Sequence, residues 1–211
     1  MISNNRKKHW EEIYRTKTLN EVSWYQQTPE TSLQLIRELS LPLDAAIIDI
    51  GGGDSFLADH LLSLGYSNIS VLDISEKAIL RAQSRLGPAS KKINWIVADV
   101  LEFEPSELYD VWHDRAAFHF FTQPHDIDQY LEIAHKALNP GGNIILGTFS
   151  DKGPTKCSGI EIMQYSRATM TNKLTPFFSI NTCFTVNHKT PFDTIQNFTF
   201  GSFKKYELDQ S

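Results

Sequence analysis

Cysteine is scarce in this chain. Its 211 residues include two, Cys157 and Cys183, far apart and in no C-x-x-C pair. That spacing offers no disulfide framework and points to a reducing compartment, the cytoplasm. The seven histidines fall into no recognisable zinc spacing, so no metal site is expected. No apolar run approaches the ~18–20 residues of a membrane span. No hydrophobic stretch follows Met1–Lys8, which argues against a signal peptide. Basic excess is missing too. The net charge is −5, and the one dense basic cluster, Arg6-Lys7-Lys8, reads as a solvated helix face. Nothing here attracts a phosphate backbone globally, so neither nucleic acid nor a membrane is an expected partner.

What remains is the composition of an ordinary globular chain, 41% hydrophobic and 21% charged, long enough for one α/β domain. Strand-like patches recur at residues 45–50, 69–73, 93–98, 109–113 and 143–149. Their near-continuous apolar character suits strands buried on both faces. Amphipathic helices alternate with them, as in Ile127, Leu131, Ala134 and Leu138. Ser75 is placed to cap a helix over 76–86, and Thr28-Pro29 to open another. Asn139-Pro-Gly-Gly142 is a turn before the fifth strand. Beyond Phe178 the rhythm changes: residues 179–188 and 194–206 read as two long strands around a short loop. With no room for a crossover they must pair antiparallel.

The first strand runs into Gly51-Gly52-Gly53. Glycine lets a ligand lie against the backbone, and strand, glycine turn and helix together make the nucleotide crevice of an open α/β sheet. A dinucleotide fingerprint needs a third glycine three residues beyond Gly53, where Phe56 stands. A P-loop needs Gly-Lys-Ser or Gly-Lys-Thr, and neither follows. The second strand ends in Asp73, about 20 residues on, where a carboxylate can accept ribose hydroxyls. The third ends in Asp99.

The turn Asp49-x-Gly51-x-Gly53, with Asp73, Asp99 and Leu138-Asn-Pro-Gly-Gly142, resembles the motifs of class I S-adenosylmethionine-dependent methyltransferases. Ser55 stands where a third glycine is usual and Asn139 where lysine is. The segment His9-Trp10-x-x-x-Tyr14 with Val22-Ser-Trp-Tyr25 is similar to a small bacterial-type single-domain branch. The resemblance implies an α/β, Rossmann-like, doubly wound seven-stranded sheet, mostly parallel with an antiparallel terminal strand. It implies one domain over 1–211: an N-terminal helical lid at 1–40, a cofactor-binding core at 41–150, and a substrate-side loop and terminal hairpin at 151–211. It implies S-adenosylmethionine as cofactor, held by Trp24, Asp49, Gly51, Gly52, Gly53, Asp54, Asp73, Ile74, Asp99, Val100 and His113. Asp99 would accept from the adenine amino group. Trp24 and Tyr25 either face the sulfonium, where a cation–π contact contributes ~0.5–2 kcal/mol, or anchor the segment to the core.

His113-Asp114-Arg115-Ala116, after the fourth strand, resembles a block of thiopurine S-methyltransferases and of elongation-factor lysine methyltransferases, with Ala116 replacing glycine. It implies Asp114, Arg115 and His119 as catalytic candidates: two bases and a fork for an acidic substrate group. Asp114 and Arg115 pairing or capping, and His119 as a packing residue, fit equally. Cys157, in the loop at 151–165, reads as a packing or substrate-lining residue rather than a nucleophile, and His188 lies in the hairpin loop. The expected acceptor is a small molecule. A protein lysine, or a non-catalytic cofactor-binding module, is the alternative. DNA methylation motifs are absent.

Overall fold

A computed structural model describes residues 2–206. Two helices come first and five parallel strands follow, the third and fourth of these joined without an α-helix between them. The strands are β1 (Ala46–Ile50), β2 (Asn68–Asp73), β3 (Ile93–Val97), β4 (Tyr109–Arg115) and β5 (Leu138–Phe149). The helices are α1 (Ile2–Thr16), α2 (Glu30–Glu38), α3 (Leu57–Ser63), α4 (Glu76–Leu86), α5 (Pro124–Ala137) and α6 (Arg167–Leu174). A two-residue-strand hairpin, β6 (Lys156–Cys157) and β7 (Ile160–Glu161), follows β5. The chain ends its sheet with β8 (Phe178–Lys189) and β9 (Ile195–Lys205).

The sheet order is β3-β2-β1-β4-β5-β9-β8. The first five strands pair in parallel, and β9 runs antiparallel to both neighbours. Strand β8 therefore points the same way as β1–β5, and the tip of the terminal hairpin lands on the rim where those strands end. The seven-stranded, mostly parallel, Rossmann-like sheet implied by the motifs is the one observed. No helix among the described residues is long and apolar enough to cross a membrane.

Both faces of the sheet are covered, which is why its strands carry so few polar residues. Ile47, Val111 and Ile145 pack against α2 and α3 on one side. Ile48, Trp112, Ile144 and Leu146 pack against α5 on the other. Three polar groups inside this second layer form a chain: Trp112 Nε1 donates to Tyr130 Oη at 2.8 Å, and Tyr130 Oη donates to Asp114 at 2.6 Å.

Local signals placed most boundaries. Ser75 Oγ accepts from the Ala78 N–H, capping α4. Helix α2 starts one residue later than the Thr28 cap implied: Pro29 takes the cap position and Thr28 contributes only its carbonyl. Strand β4 runs on to Arg115, so Asp114 and Arg115 sit on a strand rather than in a loop. His188 is likewise in β8, not in the hairpin loop.

Replacing Tyr130 with phenylalanine should lower stability by about 1–3 kcal/mol, because it leaves the buried Asp114 oxygen without its donor. Urea unfolding of Tyr130→Phe beside the parent would measure this.

Candidate active site

The carboxyl ends of β1–β4 open into two joined cavities. The larger, about 760 Å³, is lined by Asp73 and Ile74 after β2, by Ala98, Asp99 and Val100 after β3, and by Gly51. Its far wall holds Arg115, Ala116, Phe120 and Cys157. The second, about 660 Å³, is lined by Asp49, Gly52, Asp54, His113 and the segment from Thr18 to Pro29, Trp24 included. Of the residues named for the cofactor, Gly53 alone borders neither cavity.

The glycines have separate reasons. Gly51 has φ +64°, a conformation that costs a side-chain-bearing residue about 1–2 kcal/mol. A Cβ on Gly53 would lie 2.5 Å from Asp73 Oδ2 and 2.6 Å from Ala78 Cβ. Gly53 thus acts by letting the turn close over Asp73. The turn is pinned to β2, with the Gly51 N–H 2.7 Å from the Leu72 carbonyl.

Each carboxylate on this rim finds a different donor. Asp73 accepts the Ser75 N–H at 2.8 Å, yet burial, with the Asp49 charge adding to it, pushes its carboxyl up to about 7. Asp49 Oδ1 accepts from His113 Nδ1 at 2.7 Å, and His113 Nε2 meets Ser32 Oγ at 2.8 Å. Asp49 Oδ2 is buried with no partner. Asp54 is held by Arg81 at 2.9 Å and Arg85 at 2.5 Å.

Asp99 brings a correction. Arg6 belongs to no solvated basic face: its Nη2 and Nε reach Asp99 Oδ2 at 2.8 and 3.2 Å. Arg6, Trp10 and Tyr14 recur at steps of four along α1 and line the larger cavity together. Helix α1 is a roof. Trp10 meets Phe120 and Trp24 edge-to-face at 5.0 and 5.9 Å, closing the aromatic side. The helix is moored to α4, with Glu11 accepting the Glu76 N–H at 2.6 Å. The regular spacing of Arg6, Trp10 and Tyr14 was the signal that could have revealed this face.

Two catalytic candidates stand elsewhere. Asp114 is fully buried and accepts the Ala117 and Phe118 N–H groups at 2.9 and 3.1 Å. It caps the turn at Phe118–Phe120, and burial pushes it up to about 6. His119 is also fully buried, packed on Phe120 and Phe149, and lines neither cavity. Burial, aided by Arg115, pulls it down to about 3. A base must reach its proton, and neither of these does. Arg115 does border both cavities. Cys157 lines the larger one as a thiol, since burial raises it to about 11. Among the described residues no cluster of three or more His, Cys, Asp or Glu is placed to hold a metal.

Ala116 has φ +71°, the left-handed region. Alanine here holds a conformation that glycine adopts more readily, at the position where the resembling block carries glycine.

Comparison with known proteins agrees with this geometry. Residues 47–142 match the model of a methyltransferase domain family. The matched residues thus resemble a methyltransferase domain, in line with the class I S-adenosylmethionine-dependent family that the glycine turn resembles. Its relatives include the malonyl-[acyl-carrier protein] O-methyltransferase 2 of Ilyobacter polytropus, 30% identical over 104 residues, which are 49% of this chain and 39% of that one. Another is the EEF1A lysine methyltransferase 2 of Mus musculus, 29% identical over 116 residues, 51% of this chain and 47% of that one. The chain thus spans less than half the length of either. Among solved structures, the N-methyltransferase NodS of Bradyrhizobium japonicum, in complex with S-adenosyl-L-homocysteine, has a TM-score of 0.70. It is 19% identical, and the match covers 95% of this chain and 99% of that one, so the fold is shared.

Strain at Ala116 is testable. Ala116→Val should lose more than about 1 kcal/mol, because a β-branched side chain fits this region worse than alanine. Ala116→Gly should hold or gain up to about 1 kcal/mol, its relieved strain partly offset by a freer unfolded chain. Urea midpoints would rank the three.

Proposed function

We propose that this chain transfers the methyl group of S-adenosylmethionine to a small-molecule acceptor. The observation that carries the reading is the set of carboxylates at the ends of β1, β2 and β3 on one continuous crevice, with Asp49 Oδ2 buried and unpartnered. An orphaned carboxylate oxygen fits a cationic ligand, and the cofactor carries both an ammonium and a sulfonium. Asp73 would accept from the ribose hydroxyls, Asp99 with Val100 would meet the adenine, and Asp49 and Gly51 the amino-acid end. Ile74, which lines the larger cavity, would lie beside the adenosine. Gly52 and Gly53 keep the turn tight, while His113 and Asp54 act through Asp49 and the α4 arginines.

Bound there, the cofactor supplies a methyl carbon already activated toward displacement. The protein's part is orientation and dryness, which together are worth ~7–11 kcal/mol. Trp10, Tyr14, Trp24 and Phe120 exclude water from the larger cavity, and the Trp24 face suits a cation. We assign no general base to Asp114 or His119. An acceptor that arrives deprotonated needs none.

The roof over the crevice supports a small acceptor. The relationship to a lysine methyltransferase supports the second reading, a protein side chain. Labelled methyl donor added to lysate separates them: label in protein bands would overturn the small-molecule reading. Cofactor uptake without formation of S-adenosylhomocysteine across an acceptor panel would leave a binding module. The two unpaired thiols support the cytoplasm as compartment.

Asp73→Ala should weaken S-adenosylhomocysteine binding by about 1.5–3 kcal/mol in calorimetry, the scale of charge-assisted hydrogen bonds. Unchanged affinity would remove Asp73 from the site.

Acidity should matter as well. The free Asp73 carboxyl sits at about 7, above its ordinary value, so it is largely protonated at pH 6 and ionised at pH 8. Cofactor affinity, which uses the ionised form, should fall as pH drops through that range, and Asp73→Asn should flatten the dependence. Calorimetric Kd at pH 6, 7 and 8 measures it.

A further inference from the structure

Arg115 is placed differently from the other arginines of the crevice. Arg6 is paired with Asp99, and Arg81 with Asp54. Among the described residues, no carboxylate lies within ion-pair distance of Arg115. Its Nε donates to Gln26 Oε1 at 2.9 Å and its Nη2 to the Trp24 carbonyl, both neutral acceptors. A guanidinium has five N–H donors, so these bonds leave three. A cation removed from water whose hydrogen-bond acceptors are all neutral, with the Asp49 charge acting on it only through space, is electrostatically incomplete. Loss of hydration pulls Arg115 down to about 10.

The fork is also held in one orientation. Gln26 Nε2 lies 3.2 Å from His188 Nδ1, and His188 Nε2 lies 2.8 Å from the Ser23 carbonyl. A carbonyl can only accept, so His188 Nε2 carries the proton and Nδ1 accepts from the Gln26 amide nitrogen. That fixes the amide so that its oxygen faces Arg115. Arg115 cannot rotate without breaking a relay that runs to the terminal hairpin.

Arg115 further borders a third cavity, about 240 Å³, between the Gln26 segment and the hairpin, walled by Phe198 and Phe200. None of Asp49, Asp73 and Asp99 lines it. It meets the larger cavities at Arg115 alone among the charged residues.

We infer that the methyl acceptor bears a carboxylate, received by Arg115, with Gln26 and His188 as the positioning residues that aim its fork. The inference rests on the methyltransferase reading and names the substrate class. A planar guanidinium matches a carboxylate through two parallel hydrogen bonds. The cofactor has a carboxylate of its own, and the experiment separates the two sources.

Calorimetry on the full chain and on Arg115→Gln, Arg115→Lys and His188→Gln would use S-adenosylhomocysteine and 5′-methylthioadenosine, which lacks the amino-acid carboxylate. Acetate, benzoate and 3-phenylpropionate, each beside its neutral amide, would then be titrated into the protein saturated with S-adenosylhomocysteine. We expect both nucleosides to bind Arg115→Gln as they bind the parent. At least one acid should bind the parent in preference to its amide, and should bind Arg115→Gln about tenfold to a hundredfold more weakly. Arg115→Lys should recover part of that loss. His188→Gln, which keeps the guanidinium but loses the aim, should lose less than Arg115→Gln. Thermal melts of each variant confirm folding, and if Arg115→Gln does not fold, Arg115→Lys and His188→Gln carry the comparison.

Weaker S-adenosylhomocysteine binding with unchanged 5′-methylthioadenosine binding would assign Arg115 to the cofactor and overturn the inference. So would acids that bind no better than their amides, or equally to parent and variants. If the parent binds neither nucleoside, the methyltransferase reading itself fails, and this inference falls with it.

Discussion

Four carboxylates stand at the ends of four adjacent strands: Asp99 after β3, Asp73 on β2, Asp49 on β1 and Asp114 on β4. All are nearly or completely buried. Placing that much negative charge in little water is costly, and each acid is kept by its own set of donors. Backbone N–H groups and Tyr130 serve Asp114, a histidine serves Asp49, and Arg6 serves Asp99. Asp73 has backbone donors, and its carboxyl is the one pushed furthest up. The rim as a whole is an electronegative ledge, and the site's affinity for a cationic nucleoside follows from it.

The opposite wall supplies what the ledge lacks. Helix α1 brings Arg6 and two aromatic rings from above, and β4 brings Arg115 from the side. Between them the crevice is acidic toward the glycine turn, apolar overhead and cationic toward the terminal hairpin. A ligand with the complementary order, positive toward the glycine turn and negative toward the hairpin, would neutralise both ends without moving the protein. This polarity belongs to the strand ends and the roof together, and neither makes it alone.

The sheet was legible because its information is local. Apolar strands, a three-glycine turn, a serine cap and a closing hairpin each occupy a few consecutive residues, and each sits in the structure near where its pattern put it. Much of the site was less legible for the opposite reason. Whether Arg6 faces water or Asp99 depends on a contact across 93 residues. Asp114 has the composition of a catalytic acid, but Tyr130 and two backbone N–H groups consume it. His119 reads as a base until Phe120 and Phe149 enclose it. Ala116 is an intermediate case: the resembling block marked it as standing in a glycine's place, but only the structure gives its φ of +71°, the handedness glycine favours. The division into lid, core and substrate side remains a proposal consistent with the roof position of α1.

The contact between Gln26 and His188 spans 162 residues. It joins a segment that precedes β1 to a strand that follows β5, so a nascent polypeptide on the ribosome can hold the glycine turn and the first five strands before this relay exists. Non-local closures of this kind come late, because the entropy of the intervening loop must be lost before the contact forms. A half-made molecule would therefore possess the nucleoside ledge without a held guanidinium.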